Sequence, residues 1–427
     1  MRNIPNIDKL TGIIELFLEN NSRANEAKET RYWYPLSIAT YGVPEILQAL
    51  DSLCSFRTSM WEKTLEFERR YSAYQGSADS IMVNSGSSAD LLACHLLTNP
   101  TAPILKPGDE ILVPVVTWPT QIWSAMMAGL KVRLVDVSPQ TLNVDLADLE
   151  RAITPATKAI FLVHLMGNPC DMDAIGELAK KHNLVILEDC CEALGAEFRG
   201  TKVGNFGIAG TFSFFFAHHL VTMEGGMVVC QQKQHAKDLK IMRAHGWVRN
   251  VDSPEDKEQL SERGIDPRYA FYNWGFNLRP TELQAGFGLC QLEKIEAFNQ
   301  QRNLLAARFF KFIDANPWLS RPEVHPQALP SWFTLPLMLS PDAPFTREDL
   351  TRHLEEEGVE TRPIVAGNIA RHPVSEVFPA FKEREFPGAD EIHHRGFYIG
   401  LSPLYDEAAI DRLIAVFGTF LQPHTSH

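Results

Sequence analysis

The chain has 427 residues, 45% hydrophobic and 22% charged, enough apolar material for a large core arranged as a major and a minor domain. A formal net charge of -13 argues against a nucleic-acid-binding surface, so an anionic ligand must be met by local arginines rather than by a global field. The apolar piece Ile13-Ile-Glu-Leu-Phe-Leu is too short to span a membrane and is interrupted by Glu15. Dispersed cysteines and the lack of a signal peptide predict a soluble protein of the reducing cytoplasm.

In chain order, residues 1 to about 30 read as a helical extension, and Val43 to about Tyr74 as helices leading into a sheet. Strand candidates at 81–85, 110–114, 131–137, 159–165, 184–189, 211–215 and 226–230 alternate with helical stretches. That alternation predicts an α/β fold with a mostly parallel, seven-stranded sheet covered on both faces. Arg249 to Pro267 is polar and acidic, and reads as a mobile loop near an entrance. Glu282 to about Asn316 predicts one long connecting helix. A strand at Phe333 to Leu339 and helices near 347–357 and 407–420 then form a small C-terminal α/β domain. The expected division is a helical extension at 1–35, a large domain at 36–296 and a small domain at 297–427.

Several segments carry chemistry. Ile81-Met-Val-Asn84-Ser85-Gly86-Ser87-Ser88 is an apolar strand, a small-residue turn and a helix start, which offers free N–H groups and hydroxyls to an anion; the same pattern also serves as an ordinary helix cap. Glu110-Ile-Leu-Val-Pro114-Val-Val-Thr-Trp118 is a buried-type strand followed by an aromatic. In Leu184-Val-Ile-Leu-Glu188-Asp189-Cys190-Cys191-Glu192, aliphatics deliver carboxylates to the C-terminal end of a strand. Thr211-Phe-Ser213 runs into Phe-Phe-Phe-Ala-His218-His219 and then Glu224-Gly225-Gly226. Trp274-Gly-Phe-Asn277-Leu-Arg-Pro280-Thr-Glu282 reads as a turn and a helix N-terminus. Arg362-Pro-Ile-Val-Ala-Gly367-Asn368-Ile-Ala-Arg371 flanks a Gly-Asn turn with arginines suited to bidentate phosphate contact.

These segments, in this order, resemble the DegT-type sugar aminotransferases that use pyridoxal 5'-phosphate (PLP), from Tyr34-Pro-Leu-Ser37 to Phe397-Tyr-Ile-Gly400. The resemblance implies a fold-type I, aspartate aminotransferase-like PLP-dependent transferase. It places the cofactor phosphate against Gly86, Ser87, Ser88 and Ser213, Trp118 on the pyridine face, and Asp189 at the ring nitrogen, which it keeps protonated so that the ring accepts electrons. It also implies a homodimer in which Asn277 reaches the partner's phosphate site.

One position departs from the family: His218 stands where the Schiff-base lysine belongs, and no lysine lies between Lys202 and Lys233. An imidazole has no primary amine, so His218 can move protons but cannot hold the cofactor covalently. With Glu192 replacing the glutamine usual in sugar aminotransferases, the chain is similar to the lysine-to-histidine branch of GDP-4-keto-6-deoxymannose 3-dehydratase type. That branch implies the pyridoxamine form (PMP), removal of the C3 hydroxyl of a nucleotide-linked 4-keto-6-deoxyhexose, and L-glutamate restoring PMP, in 3,6-dideoxysugar biosynthesis. His218 and Glu192 would be catalytic, and Arg362, Asn368, Arg371 and His219 would contact substrate, although orienting His218 or, slightly better, plain packing also suits His219. An unperturbed imidazole pKa of about 6.5 suits such proton traffic. His164 and His245 read as structural or loop histidines, and metal ligation is not expected.

A related branch carries a [2Fe-2S] cluster on four cysteines, two of them as Cys-x-Cys, and draws electrons from a reductase. Cys54, Cys94, Cys170, Cys190, Cys191, Cys230 and Cys290 include no Cys-x-Cys pair, which argues against a cluster. The alternatives are a reductase-coupled dehydrase without its own cluster, or a catalytically silent nucleotide-sugar-binding protein. Asp189 and Ser213, both present, favour an enzyme.

Overall fold

The aliphatic runs of the first half become strands that are largely buried, except at the edge of the sheet. They are β1 (Asp79–Val83), β2 (Glu110–Pro114), β3 (Lys131–Val135), β4 (Thr157–Val163) and β5 (Val185–Asp189). A small excursion, β6 (Glu197–Phe198) and β7 (Thr201–Lys202), precedes β8 (Ala209–Ser213) and β9 (Gly226–Cys230). In this computed structural model, which describes residues 7–27, 31–248, 258 and 260–424, the main sheet has seven strands in the order β1-β9-β8-β5-β4-β2-β3. Only β9 runs antiparallel to its neighbours. Every residue of β2 and β9 is buried, as expected of a sheet covered by helices on both sides.

The seven expected strands are all present, but at 81–85, 131–137, 159–165 and 211–215 pairing ends two residues early. Other bonds claim the chain there. Ser85 caps the next helix, residues 165–167 form a 3-10 turn, and the Phe214 amide donates to Gly225 O. The chain therefore leaves the sheet at the strands' C-terminal ends with its polar groups already committed, which opens a crevice in the position typical of doubly wound sheets.

A second, antiparallel sheet contains β10 (Leu319–Ser320), β12 (Leu335–Leu339), β13 (Thr361–Pro363) and β14 (Gly396–Ile399), in the order β10-β12-β14-β13; β11 (Ala328–Leu329) instead pairs with β6. The helices Ile295–Asp314, Arg347–Glu356 and Glu407–Leu421 accompany this sheet. Its core gathers Leu305, Phe309, Leu337, Phe397 and Phe417 around Tyr34. Tyr34 is fully buried and stacks on Tyr405 with ring centroids 4.2 Å apart. Backbone bonds from Tyr34 N to Gly358 O and from Glu360 N to Tyr34 O, 3.1 and 2.9 Å, hold it there. The N-terminal helix spans Ile7–Ala27.

The long helix expected from Glu282 to Asn316 is two helices, Glu282–Leu292 and Ile295–Asp314. Between them the chain turns so that Lys294 ion-pairs with the buried Glu45, whose carboxylate also accepts from Gln291 Nε2 at 2.8 Å. Residues 249–257 and 259 of the expected entrance loop fall outside the described residues.

Glu282 starts the first of these helices and also caps another. The helix Glu62–Gln75 begins after Trp61, which offers no side-chain acceptor. Buried Glu282 instead accepts from the amides of Trp61 (2.7 Å), Lys63 and Thr64 (3.3 Å) and from the Thr64 hydroxyl (2.9 Å). Glu282→Ala removes the acceptor from all of these donors, leaving those of buried Thr64 without a partner, and should lower stability by about 2 to 4 kcal/mol in denaturant unfolding, with Glu282→Gln losing less.

Candidate active site

The crevice is a cavity of about 550 Å³. Its floor comes from the ends of β4, β5 and β8, and its far wall from Phe333, Arg362, Pro363, Val365 and Tyr398. The anion cup lies at the start of the helix Gly86–Leu97. Its first intrahelical bond runs from Ala89 N to Ser85 O, and Ser85 Oγ accepts from Ser88 N at 3.1 Å, so the Gly86 and Ser87 amides precede the ladder. A Cβ at Gly86 would lie 2.5 Å from Ser213 Cβ, so only glycine lets the helix start approach β8 this closely. Ser213 Oγ accepts from Phe215 N at 3.4 Å, which leaves its own proton to donate into the cup. Gly86, Ser87 and Ser213 line the cavity; Ser88 turns its hydroxyl back to Asn84 Oδ1 at 2.6 Å.

Trp118 stands 61% exposed on the cavity wall. Asp189, at the end of β5, is buried, and its Oδ1 accepts from Cys191 N at 2.9 Å. Burial lifts its carboxyl above the usual range, against the pull of that N–H. Glu192 accepts from Met166 N at 2.8 Å, and burial, with the nearby charge of Asp189, pushes its carboxyl up to about 7.

His218 lies in the loop between β8 and β9 and faces the cavity, with its ring 5.1 Å from that of Phe333. Its Nδ1 has no hydrogen-bond partner among the described residues. Burial and the charge of Arg302 hold the imidazole down at about 4, so it is neutral near pH 7. Arg302 is itself buried and donates through Nη1 to Phe333 O (3.1 Å) and to Leu401 O. Among the described residues no lysine lines the cavity; Lys202 lies over the Tyr74 ring and Lys233 begins a helix.

The remaining sequence candidates are placed differently. His219 is fully buried behind His218, with Nε2 3.0 Å from Ser331 O, and does not line the cavity. Arg362 lines it while donating to Thr361 O and Glu360 Oε1, both at 2.7 Å. Asn368 and Arg371 lie off the cavity and share Asp390, Asn368 through one bond of 2.6 Å and Arg371 through two of 2.5 and 2.7 Å. Asn277 is exposed and accepts from Arg279 Nε at 2.9 Å. His164 is buried, with Nδ1 accepting from Cys170 N and Nε2 3.2 Å from Glu188 Oε2. Cys190 is packed in the core, whereas Cys191 lines the cavity.

Sequence reasoning missed Asp90, Met166, Phe333, Arg302 and Tyr398. None of the five carries a local sequence signal; Tyr398 faces Arg362 across the β13–β14 register, and burial pushes its hydroxyl up to about 12.

A model of the DegT/DnrJ/EryC1/StrS aminotransferase family matches residues 43–417. The GDP-4-keto-6-deoxy-D-mannose 3-dehydratase of Yersinia pseudotuberculosis is 37% identical over 371 residues, which cover 86% of this chain and 93% of that protein. The dTDP-4-dehydro-2,6-dideoxy-D-glucose 3-dehydratase of Saccharopolyspora spinosa is 36% identical over 383 residues, covering 87% and 83%. A crystal structure of GDP-4-keto-6-deoxymannose-3-dehydratase with a trapped PLP-glutamate geminal diamine is similar with a TM-score of 0.83 and 33% identity, covering 90% of this chain and 100% of that one.

The raised carboxyl of Glu192 carries a stability signature. Between the ordinary value of 4.5 and about 7 the folded chain binds a proton that the unfolded chain does not, so this contribution is present at acid pH and is lost as pH rises through about 7. Glu192→Gln should therefore match the parent's thermal midpoint near pH 5 and exceed it at pH 8.

Proposed function

Because the chain belongs to the DegT/DnrJ/EryC1/StrS aminotransferase family, we propose that it is a PLP/PMP-dependent 3-dehydratase. It removes the C3 hydroxyl of a nucleotide-linked 4-keto-6-deoxyhexose, of GDP-4-keto-6-deoxymannose type, in 3,6-dideoxysugar biosynthesis. The observation that carries this reading is His218: a neutral imidazole with an unpartnered nitrogen faces the cavity at the position of the family's lysine.

The residues present fit the cofactor. The Gly86 and Ser87 amides and the Ser213 hydroxyl suit its phosphate, the exposed Trp118 ring its pyridine face, and the oxygen of Asp189 not bonded to Cys191 its ring nitrogen. When bound, PMP would supply an amine that joins the 4-keto carbon of the sugar and a conjugated ring able to take up the electron pair freed by loss of a proton at C4' and pass it on to the departing C3 hydroxyl. His218, neutral at working pH, takes a proton from C4' and holds it. Glu192, poised at about 7, keeps its proton part of the time and can deliver it to the departing C3 oxygen, with His218 as the second donor. Arg362 is the one arginine or lysine on the cavity wall among the described residues, and meets the anionic part of the substrate. L-glutamate restores the amine form.

The working unit is a homodimer in which exposed Asn277 completes the partner's phosphate site, and Asn368 and Arg371 extend the sugar-binding loop beyond the cavity. The chain divides at residues 35 and 296 into a helical extension, a large cofactor domain and a small C-terminal domain, and works in the cytoplasm. No helix among the described residues is long and apolar enough to cross a membrane.

Purified protein given PLP, L-glutamate and GDP-4-keto-6-deoxymannose should release ammonia and the 3-deoxygenated sugar with no added reductase. A strict need for a reductase would favour the electron-transfer alternative, and no turnover under either condition a silent binding protein. His218→Lys should become covalently linked to the cofactor, trappable with borohydride, and lose dehydration by roughly 10² to 10⁴ in rate; retained dehydration would assign the proton transfer to another residue.

A further inference from the structure

The cavity floor holds a second buried carboxyl that the chemistry above does not use. Asp90 lies on the helix Gly86–Leu97, 1% exposed, and lines the cavity beside Asp189. An oxygen of each carboxyl and the sulfur of Cys191 lie within 4.8 Å of one another. Around them stand Cys94 on Asp90's own helix, Glu192 beyond Cys191, and His164, whose ring is already bonded to Glu188. No lysine or arginine forms a salt bridge with either carboxyl among the described residues. Two buried carboxylates this close oppose each other's ionisation.

Hydrogen bonding decides which one keeps the proton. Thr211 is fully buried, and its Oγ1 lies 2.7 Å from Asp90 Oδ1 and 3.4 Å from Glu188 O. A hydroxyl has one proton to give, and both oxygens it faces are acceptors when Asp90 is ionised. Both contacts are satisfied when Asp90 brings its own proton: the acid donates to Thr211 Oγ1, and Thr211 donates to Glu188 O. The Thr120 hydroxyl then donates to the other Asp90 oxygen at 3.2 Å. Asp189, by contrast, receives the Cys191 N–H, a bond that favours its anion. Burial and the charge of Asp189 raise Asp90 well above the carboxylate range, in the same direction.

We propose that Asp90 is a neutral, proton-bearing positioning residue: through Thr211 it fixes the end of β5 and leaves Asp189 as the single anion that meets the cofactor's ring nitrogen. The second half of this statement rests on the cofactor reading above. One anion then balances one ring cation, and the proton on Asp90 cannot be lost without placing two negative charges side by side.

Infrared spectra of the cofactor-free protein at pH 8, where Glu192 is mostly ionised, should contain a protonated-carboxyl C=O band that disappears in Asp90→Asn. Binding of PMP, followed by calorimetry, supplies the second readout. Asp90→Asn, whose amide donates to Thr211 as the acid does, should keep the parent affinity within about twofold, and Asp90→Leu should weaken it about tenfold, the scale of one lost hydrogen bond. Absence of the infrared band, or an Asp90→Asn variant as weak as Asp90→Leu, would show that Asp90 acts as a charge. An Asp90→Leu variant that binds like the parent would remove the positioning role. A parent protein that takes up no PMP would instead overturn the cofactor reading, while the infrared band would still report on Asp90.

Discussion

A single carboxylate organises the end of the strand on which the site is built. Glu188, at the penultimate position of β5, is fully buried and accepts from the amides of Gly204, Phe206 and Gly207, each at 2.7 Å, while His164 Nε2 lies 3.2 Å away. Such a charge is tolerable in the interior only because its acceptor sites are filled. The bonds lock the segment before β8 and the end of β4 onto β5. Successive side chains on a strand point to opposite faces, so a fixed Glu188 aims Asp189 into the cavity. The pinned strand end also sets where Glu192 begins its turn, and with it the Met166 amide that Glu192 accepts from.

Above that floor, two titratable groups are driven in opposite directions by burial. The imidazole of His218 is held neutral, helped by the buried guanidinium of Arg302, while Glu192 is raised toward neutrality with Asp189 nearby. Burial disfavours charge whatever its sign, so a base stays unprotonated and an acid stays protonated in the same enclosure. Arg302 also bonds the carbonyl of Phe333, whose ring packs on His218, so one residue of the connecting helix governs both the charge and the placement of the imidazole.

The main sheet was legible in the sequence because its strands are nearly continuous aliphatic runs, and the cup, Trp118, Asp189, Glu192 and His218 were legible because each follows such a run at short range. What the sequence concealed comes from distant segments. Phe333 and Tyr398 reach the cavity, and Arg302 the neighbourhood of His218, only through the way the second sheet packs on the first, and no local pattern marks them. Asp90 was hidden inside a helix whose start drew all the attention. The helix break at Lys294 follows from a partner, Glu45, some 250 positions upstream in the chain. Asn368 and Arg371 have the residue types for a substrate loop, yet within this chain their donors are engaged by Asp390, a competition that sequence order does not display.

Tyr34 sets a condition on how the polypeptide is made. Its niche consists of residues from Leu305 to Leu421, so a segment that leaves the ribosome early has nowhere to settle until nearly the whole chain has followed. Until then the ring stays in water and Gly358 and Glu360 lack their backbone partner. Closure of the second core is thus a late event during synthesis, and a nascent chain stalled before the final helix would hold Tyr34 beside an incomplete core whose aromatic residues stay open to chaperones.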